Sequence, residues 1–287
     1  MRSWGEARRA AAERLRSGAE PATASLDADV LLAFALGVRK EELLAHPDRS
    51  LTAEEDARAS SLIERRLQGE PVAYLRGWKE FYGQRFRVDP RVLIPRPETE
   101  TLVEEALRFI AGRALTVIDV GTGSGAIACA IAIHEQRVRV IATDASRDAL
   151  VVAEANALAL GVADRVEFRH GDLLAPIAST ERVDVVCANL PYLREDQMAT
   201  LAGERTSLAF EPRVALTAGA QGLDLFGRCV ADLKRVLIPG GAAFFECDPP
   251  QAGVLARLLT DAGLRASTAK DLMGSERVVR GDLESAS

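Results

Sequence analysis

Apolar residues in the first quarter of the chain recur with a helical period, and later ones fall into short runs. The first residues predict an amphipathic helix with Trp4, Ala7, Ala11 and Leu15 on one face. Helical spacing then continues to about residue 70. We therefore predict a small helical domain over residues 1–77.

Two further helices of this domain carry start and stop signals. "SLDADVLLAFALG" is expected to run from a Ser25 cap to a stop at Gly37. "LTAEEDARASSLIERRLQG" places Thr52 and Glu55 at capping-box spacing and ends at Gly69. These signals bound two helices.

A segment rich in aromatic and β-branched residues follows the helical part. It reads "WKEFYGQRFRVDPRVLI" and has a Tyr-Gly pair near its centre. Such a run around a turn signal predicts a β-hairpin. We assign residues 78–95 to a hairpin that links two domains.

From about residue 97, short apolar runs alternate with stretches of helical spacing. The runs are "ALTVIDVG", "RVIATD", "RVEFRH", "VDVVCAN" and "GAAFFEC", each bounded by turn or polar residues. Runs of this kind are typical of strands covered on both faces. Residues 96–287 are therefore predicted to form a doubly wound α/β sheet, with its ligand at the carboxyl ends of the strands.

Composition narrows the class of protein. The 287 residues are 48% hydrophobic and 27% charged, with a net charge of -6. This charge disfavours broad adhesion to nucleic acid, which needs clustered cations. No apolar stretch is long and uncharged enough to span a bilayer. The four cysteines lie far apart and are expected to be buried free thiols, as in a reducing compartment. The thiols and the lack of a membrane span together predict a cytoplasmic protein without a membrane partner.

Three predicted strand ends carry residues suited to a nucleoside. Gly121, Gly123 and Gly125 follow the first strand and allow a tight turn close to a ligand, although a plain turn would also use them. Asp144 ends the second strand, where a carboxylate can accept hydrogen bonds from both ribose hydroxyls or simply start a helix. Asp172 follows the third strand and can meet an adenine amino group, although an acid in a turn needs no ligand. These features do not separate a dinucleotide from S-adenosylmethionine.

The fourth strand ends in Asn189, Leu190, Pro191 and Tyr192. This stretch resembles the Asn-Pro-Pro-Tyr signature of class I methyltransferases that act on planar amide or amine nitrogens. The Asn189 oxygen and the Leu190 carbonyl can accept the two N–H groups of such a nitrogen, and Tyr192 can stack on the flat group. An uncharged acceptor also avoids binding a sulfonium too tightly.

Leu190 departs from the signature, which has proline at this position. Its carbonyl acceptor remains, but the restraint of a proline ring is lost. A working but less rigid site is expected. The alternative is an ordinary Asn-x-Pro turn after a strand.

A longer resemblance covers nearly the whole chain. Residues 69–104, with the core "LIPRPETE", resemble the segment that joins the two domains of the peptide-chain release factor glutamine methyltransferases, the HemK/PrmC family. Further matches are "DADVLLAFALGV", "DVGTGSGAIA", "NLPY", "EPRVALTAGAQGLDLF" and "GSERVV". One departure is Asp248 in "ECDPPQ", where the family has glycine.

The resemblance implies transfer of a methyl group from S-adenosylmethionine to the glutamine side-chain nitrogen in the Gly-Gly-Gln motif of class I release factors. The helical domain would grip the release factor, and the expected enzyme is monomeric. No metal and no direct nucleic acid contact are expected. Carried over by position, the cofactor residues are Gly121, Thr122, Gly123, Ser124, Gly125, Asp144, Asp172, Leu173 and Asn189. Asn189 to Tyr192 would hold the glutamine.

Three alternatives stay open. A ribosomal-protein glutamine methyltransferase would share the catalytic signature. An adenine-N6 nucleic acid methyltransferase would present the same kind of amine, although the acidic charge disfavours it. A non-catalytic binding module would follow if Leu190 disabled the site.

Arg96, Glu98 and Glu100 either shape the site or belong to a helix start after Pro97.

Overall fold

The computed structural model describes residues 1–18, 20–198, 207–219 and 222–285. The chain forms two compact units. The helical unit comprises Met1–Trp78 and Gln197–Glu211, and the sheet unit comprises Lys79–Asp196 and Pro212–Ser287. Two residues of the motif that begins at Glu211, at positions 220 and 221, lie outside the described residues.

Short helices build the helical unit. They are α1 (Trp4–Leu15), α2 (Ala24–Leu36), α3 (Lys40–Ala45), α4 (Ala53–Leu67) and α5 (Val72–Arg76), with 3-10 turns at Pro21–Thr23 and Ser207–Phe210. Trp4, Ala7, Ala11 and Leu15 are buried, which confirms the predicted face of α1. None of the helices that the structure describes is long and apolar enough to cross a membrane.

The predicted caps were right for α4 and partly wrong for α2. In α4 the Glu55 amide donates to Thr52 Oγ1 over 3.2 Å, and the Thr52 amide donates to the Glu55 carboxylate over 2.8 Å. Gly37 ends α2 with φ +67°, as predicted. Ser25 is not the cap, because a 3-10 turn beginning at Pro21 leads directly into the helix and moves its start to Ala24.

A buried guanidinium connects separate parts of the helical unit. Arg66 in α4 is 4% exposed and donates to Asp27 of α2 over 2.8 Å and to Glu20 over 2.7 Å. It also donates to Ser207 Oγ over 3.0 Å. The network therefore ties the segment at Ser207 to helices that lie more than a hundred residues earlier in the chain.

A β-hairpin follows α5, as predicted. Its strands are β1 (Trp78–Phe81) and β2 (Gln84–Arg87). Tyr82 and Gly83 form the turn with φ +48° and +73°. Residues 88–95 continue the chain outside any strand.

A seven-stranded sheet is the framework of the sheet unit, in the order β5-β4-β3-β6-β7-β9-β8. The strands are β3 (Thr116–Val120), β4 (Arg139–Asp144), β5 (Val166–His170), β6 (Val183–Ala188), β7 (Leu237–Glu246), β8 (Arg265–Lys270) and β9 (Glu276–Asp282). The first five are parallel and confirm the predicted runs. The antiparallel pair β8 and β9 was missed. β8 is a largely exposed edge strand of polar and small residues, and β9 has only a short apolar pair between charged residues.

Helices cover both faces of this sheet, which confirms a doubly wound fold. They are α6 (Thr99–Ile110), α7 (Ala126–His134), α8 (Arg147–Ala159), α9 (Asp224–Val236) and α10 (Ala252–Asp261). Successive strand residues point to opposite faces, so Phe244 joins one buried cluster and Phe245 joins the other. All four cysteines are buried, as predicted.

The strand order reverses at β3. From β3 the chain moves to β4 and β5 on one side and to β6 and β7 on the other. In open parallel sheets the crevice at such a switch point, beyond the carboxyl ends of the strands, is where ligands bind.

Candidate active site

The glycine-rich turn after β3 is held by backbone contacts to the neighbouring strand. The amides of Gly121 and Thr122 both donate to the Thr143 carbonyl, over 2.8 and 2.9 Å. Gly121, Gly123 and Gly125 have φ +70°, +55° and +79°, conformations that disfavour any side chain. The turn therefore keeps its backbone exposed toward the crevice.

Close packing adds a second reason for two of these glycines. A Cβ on Gly125 would lie 3.1 Å from the Cβ of Ala153 in α8. A Cβ on Gly121 would lie 3.3 Å from Leu190 Cδ2. Gly121 and Leu190, which follow the paired strands β3 and β6, thus pack closely side by side at the carboxyl edge of the sheet.

Asp119, for which the sequence reasoning assigned no role, stabilises the glycine-rich turn through hydrogen bonds. Its Oδ2 accepts from Thr122 Oγ1 over 2.6 Å and from the Ala128 amide over 3.1 Å. Burial raises the pKa of this carboxyl to about 7. Its other oxygen has no hydrogen-bond partner among the described residues. The signals in the sequence were its place one residue before the end of a buried strand and its position at the start of "DVGTGSGAIA".

Asp144 faces the crevice at the end of β4. One carboxylate oxygen accepts from the Gly123 amide over 2.9 Å, and the other accepts from the Ser146 amide over 2.8 Å. Ser146 caps α8 through the Ala149 amide, so the side-chain cap belongs to Ser146. Burial raises the pKa of Asp144, while the two amides act in the opposite direction. Each carboxylate oxygen retains a lone pair for a further donor.

The turn after β5 borders the same crevice. Leu173 has φ +48°, and its carbonyl accepts from Thr143 Oγ1 over 3.0 Å. The Asp172 carboxylate forms an exposed ion pair with Arg228. A carboxylate paired in this way can still accept from a ligand amine, because it has two oxygens.

A single pocket of the sheet unit brings most of the predicted residues together. The predicted residues that line it are Gly121, Gly123, Asp144, Asp172, Leu173, Asn189, Leu190 and Pro191. Thr122, Ser124 and Gly125 support the turn instead. Thr122 bonds to Asp119, and the Ser124 carbonyl accepts from Asn156 over 2.8 Å.

Other pocket residues were not predicted. Most come from the segment after the hairpin (Arg91, Val92 and Leu93) and from a later loop (Pro212, Val214 and Ala215). Both stretches lie within motifs that carry the family resemblance, but no role at the pocket was predicted for them. Only the folded chain places them beside the strand ends. Apart from Arg91 they are apolar, and they line the same pocket as Asp144.

Asn189 is oriented by a contact that spans 90 residues of sequence. Its Nδ2 donates to Thr99 Oγ1 over 3.0 Å. Thr99 is the first residue of α6, so the start of this helix supplies the acceptor that holds the Asn189 amide. Leu190 is buried, and its side chain packs toward Gly121.

Tyr192 lies just beyond the pocket. Burial raises the pKa of its hydroxyl to about 12. Its carbonyl accepts from Gln251 Nε2 over 3.1 Å. Asp248 forms a capping box with Gln251, which gives this departure from the family pattern a structural role next to the site.

The acids near Pro97 belong mainly to the start of α6. Glu98 is the N-cap residue, and Glu100 accepts from the Tyr82 amide over 2.8 Å. These contacts are those of a helix start and of its link to the hairpin turn. His134 and His170 also have structural contacts, to Tyr82 and to the Ala145 carbonyl.

The pocket residues fit a nucleoside that carries a positive sulfonium. Asp144 offers a carboxylate beside a glycine turn, and Gly121 and Gly123 line the pocket without a side chain that would occupy it. Dinucleotide-binding proteins share such a sheet and cradle. Together with Asn189, Leu190 and Pro191 at the same pocket, this arrangement is that of a class I methyltransferase that uses S-adenosylmethionine. When bound, this cofactor supplies an electrophilic methyl group.

Comparisons with known proteins agree with this class. The family model of the PrmC N-terminal domain matches residues 6–77, and that of the methyltransferase small domain matches residues 99–208. Among solved structures, the hMettl16 catalytic domain aligns at 15% identity and TM-score 0.57, over 81% of this chain and 82% of that one. The Thermus thermophilus 16S rRNA N2 G1207 methyltransferase aligns at 18% identity and TM-score 0.53, over 71% and 49%. Similarity at this level shows the fold.

Curated relatives are much closer. The release factor glutamine methyltransferase of Bordetella pertussis is 41% identical over 92% of this chain and 97% of its own length. That of Cereibacter sphaeroides is 40% identical over 98% and 99%. The chain belongs to the release factor glutamine methyltransferase family.

Proposed function

We propose that the protein transfers the methyl group of S-adenosylmethionine to the side-chain amide nitrogen of the glutamine in the Gly-Gly-Gln motif of class I release factors. Asn189 carries this proposal. Its Nδ2 is engaged by Thr99, which leaves Oδ1 as the group that can accept from a substrate amide at the pocket.

The chemistry required of the protein is positioning. An amide nitrogen is a weak nucleophile because its lone pair is delocalised. Acceptors at Asn189 Oδ1 and at the Leu190 carbonyl would hold both N–H groups, and Tyr192 would lie against the flat amide. Fixing the nitrogen in this way aims it at the methyl group and lowers the entropy cost of attack.

The pocket residues would hold the cofactor. Asp144 would accept from the ribose hydroxyls, and the backbone at Gly121 and Gly123 would approach the rest of the molecule. Asp172 and Leu173 would border the adenine. The proton of the amide would leave to water, so no side chain is assigned as a base.

We also propose that the helical unit binds the body of the release factor and that the enzyme acts as a monomer without direct nucleic acid contact. A cytoplasmic location goes with this substrate. Gel filtration of the protein alone tests the monomer, since a dimer would elute at twice the mass.

The decisive experiment offers labelled S-adenosylmethionine with separate acceptors. These are a class I release factor, the same factor with its Gly-Gly-Gln glutamine changed to alanine, a ribosomal protein fraction, and duplex DNA. Label on that glutamine alone, located by peptide mapping, is the expected result. Label on DNA or on a ribosomal protein instead would overturn the proposal.

The role of Asn189 has its own test. Asn189→Ala should lower kcat about 100-fold or more, because a donor–acceptor contact in the transition state is lost. Calorimetry should show a nearly unchanged Kd for S-adenosylmethionine. Wild-type activity in this variant would remove Asn189 from the mechanism.

A further inference from the structure

Behind Asn189, two buried side chains form a chain of contacts that leads away from the pocket. Thr99 is 4% exposed and Glu246, the last residue of β7, is 1% exposed. Thr99 Oγ1 accepts from Asn189 Nδ2 over 3.0 Å and is also the side-chain hydrogen-bond partner of Glu246. The second carboxylate oxygen, Oε2, has no hydrogen-bond partner among the described residues.

The number of available protons fixes which group donates in each hydrogen bond from Asn189 through Thr99 to Glu246. An ionised carboxylate can only accept, so the single hydroxyl proton of Thr99 must point to Glu246. Thr99 Oγ1 can then offer only lone pairs to Asn189. The Asn189 amide must therefore turn its NH2 group toward Thr99 and its oxygen toward the pocket.

Protonation of Glu246 would remove this constraint. A neutral carboxyl can donate to Thr99, and the Thr99 proton is then free to point at Asn189. The amide can rotate by half a turn and present its NH2 group to the pocket. A substrate amide that needs an acceptor would meet a donor.

The surroundings allow Glu246 to titrate near neutral pH. Burial raises the pKa of its carboxyl to about 7. Arg277 of β9 and Arg96 act to lower this pKa, Glu98 acts to raise it, and the neutral Tyr192 hydroxyl also faces the carboxyl. The ionised form that orients Asn189 is therefore populated only in part at neutral pH.

We infer that Thr99 and Glu246 are positioning residues that set the orientation of the Asn189 amide, and that methyl transfer requires the ionised form of Glu246. This inference rests on the proposed function for its kinetic consequence. The orientation itself is a property of the protein without substrate.

The kinetic test uses Thr99→Val, Thr99→Ser and Glu246→Gln, with Thr101→Val as a control on the same helix. Thr99→Val should lower kcat at least tenfold, the effect of one lost hydrogen bond of about 1.4 kcal/mol. Thr99→Ser should stay within about threefold of wild type, since the hydroxyl is kept. KM for S-adenosylmethionine should change little. Equal loss in the serine and valine variants would overturn the role of the hydroxyl.

The pH profile separates positioning from packing. Wild-type kcat should rise with pH through about 7, the pKa of Glu246. Glu246→Gln should have a lower kcat and lack this acidic limb, because glutamine can donate or accept at any pH. An unchanged acidic limb in Glu246→Gln would overturn the inference.

A spectroscopic readout is independent of the substrate. The side-chain NH2 signals of Asn189, assigned by their absence in Asn189→Ala, should titrate with Glu246 in the protein alone and shift in Thr99→Val. Signals that respond to neither change would overturn the inference even if the enzyme is active. Failure to label the release factor while these signals behave as expected would instead count against the proposed function.

Discussion

Burial raises the pKa of several carboxyl groups in the sheet unit, and the largest changes are at Asp119 in β3 and Glu246 in β7. It raises the pKa of each to about 7. In the unfolded chain both return to an ordinary pKa near 4. The folded protein therefore holds protons at these two groups that the unfolded chain has released, and their contribution to the free energy of unfolding should fall as the pH rises from about 4 to about 7.

Asp119→Asn should flatten this fall. The variant keeps an oxygen that accepts from Thr122 or Ala128 but has no proton to lose. The drop in the free energy of unfolding between pH 5 and 7.5 should shrink by roughly 2 kcal/mol in urea titrations followed by circular dichroism. The exposed Asp164→Asn should keep the wild-type slope. An unchanged slope in Asp119→Asn would show that Asp119 does not titrate in this range.

Replacing Leu190 by proline tests how much the site depends on the proline that the family signature has at this position. The Leu190 carbonyl is the proposed acceptor, and the buried side chain contacts the region of Gly121. Leu190→Pro keeps the carbonyl and restrains the backbone. We expect methyl transfer to stay within about threefold of wild type or to rise. A large loss of kcat with intact cofactor binding would mean that this chain shapes the acceptor differently from its family.

Some contacts that hold the helices join residues close together in the sequence, and others join residues far apart. Local ones, such as the Thr52 and Glu55 box, follow from spacing and were predicted. The start of α2 was misplaced at Ser25, because capping preferences of single residues did not include the 3-10 turn at Pro21. The Arg66 network was invisible, since its partners at Asp27 and Ser207 have no fixed spacing in sequence.

Arg66→Leu should destabilise the helical unit. It leaves the carboxylates of Asp27 and Glu20 without their cation, and breaking a buried pair costs about 3 kcal/mol. The chain has two tryptophans, Trp4 and Trp78, and both belong to this unit. Their fluorescence in a urea titration therefore reports its unfolding.

Arg65→Leu is the matched control for that titration. Arg65 is the neighbouring residue and pairs with Glu70 at an exposed position. Its loss should change the free energy of unfolding by less than about 1 kcal/mol. Equal effects of the two variants would contradict a special role for the buried pair.

Across the whole molecule, the sequence predicted what depends on local pattern and missed what depends on tertiary contact. Alternating apolar runs placed five parallel strands and brought Gly121, Asp144 and Asn189 to one edge of the sheet. The contact between Asn189 and Thr99 joins the end of β6 to the start of α6, and no single sequence motif contains both residues. The orientation of the amide, on which the chemistry depends, was therefore beyond sequence reasoning.

Cofactor binding should stabilise the sheet unit by mass action. A ligand at 100 times its Kd raises the free energy of unfolding by about 2.7 kcal/mol. S-adenosylmethionine should therefore raise the thermal midpoint of the wild-type protein, and Asp144→Ala should reduce this rise by weakening the ribose contact. Asp148→Ala, an exposed acid in the first turn of α8, should keep the full rise. An undiminished rise in Asp144→Ala would show that the ribose lies elsewhere, even if the glycine turn still holds the cofactor.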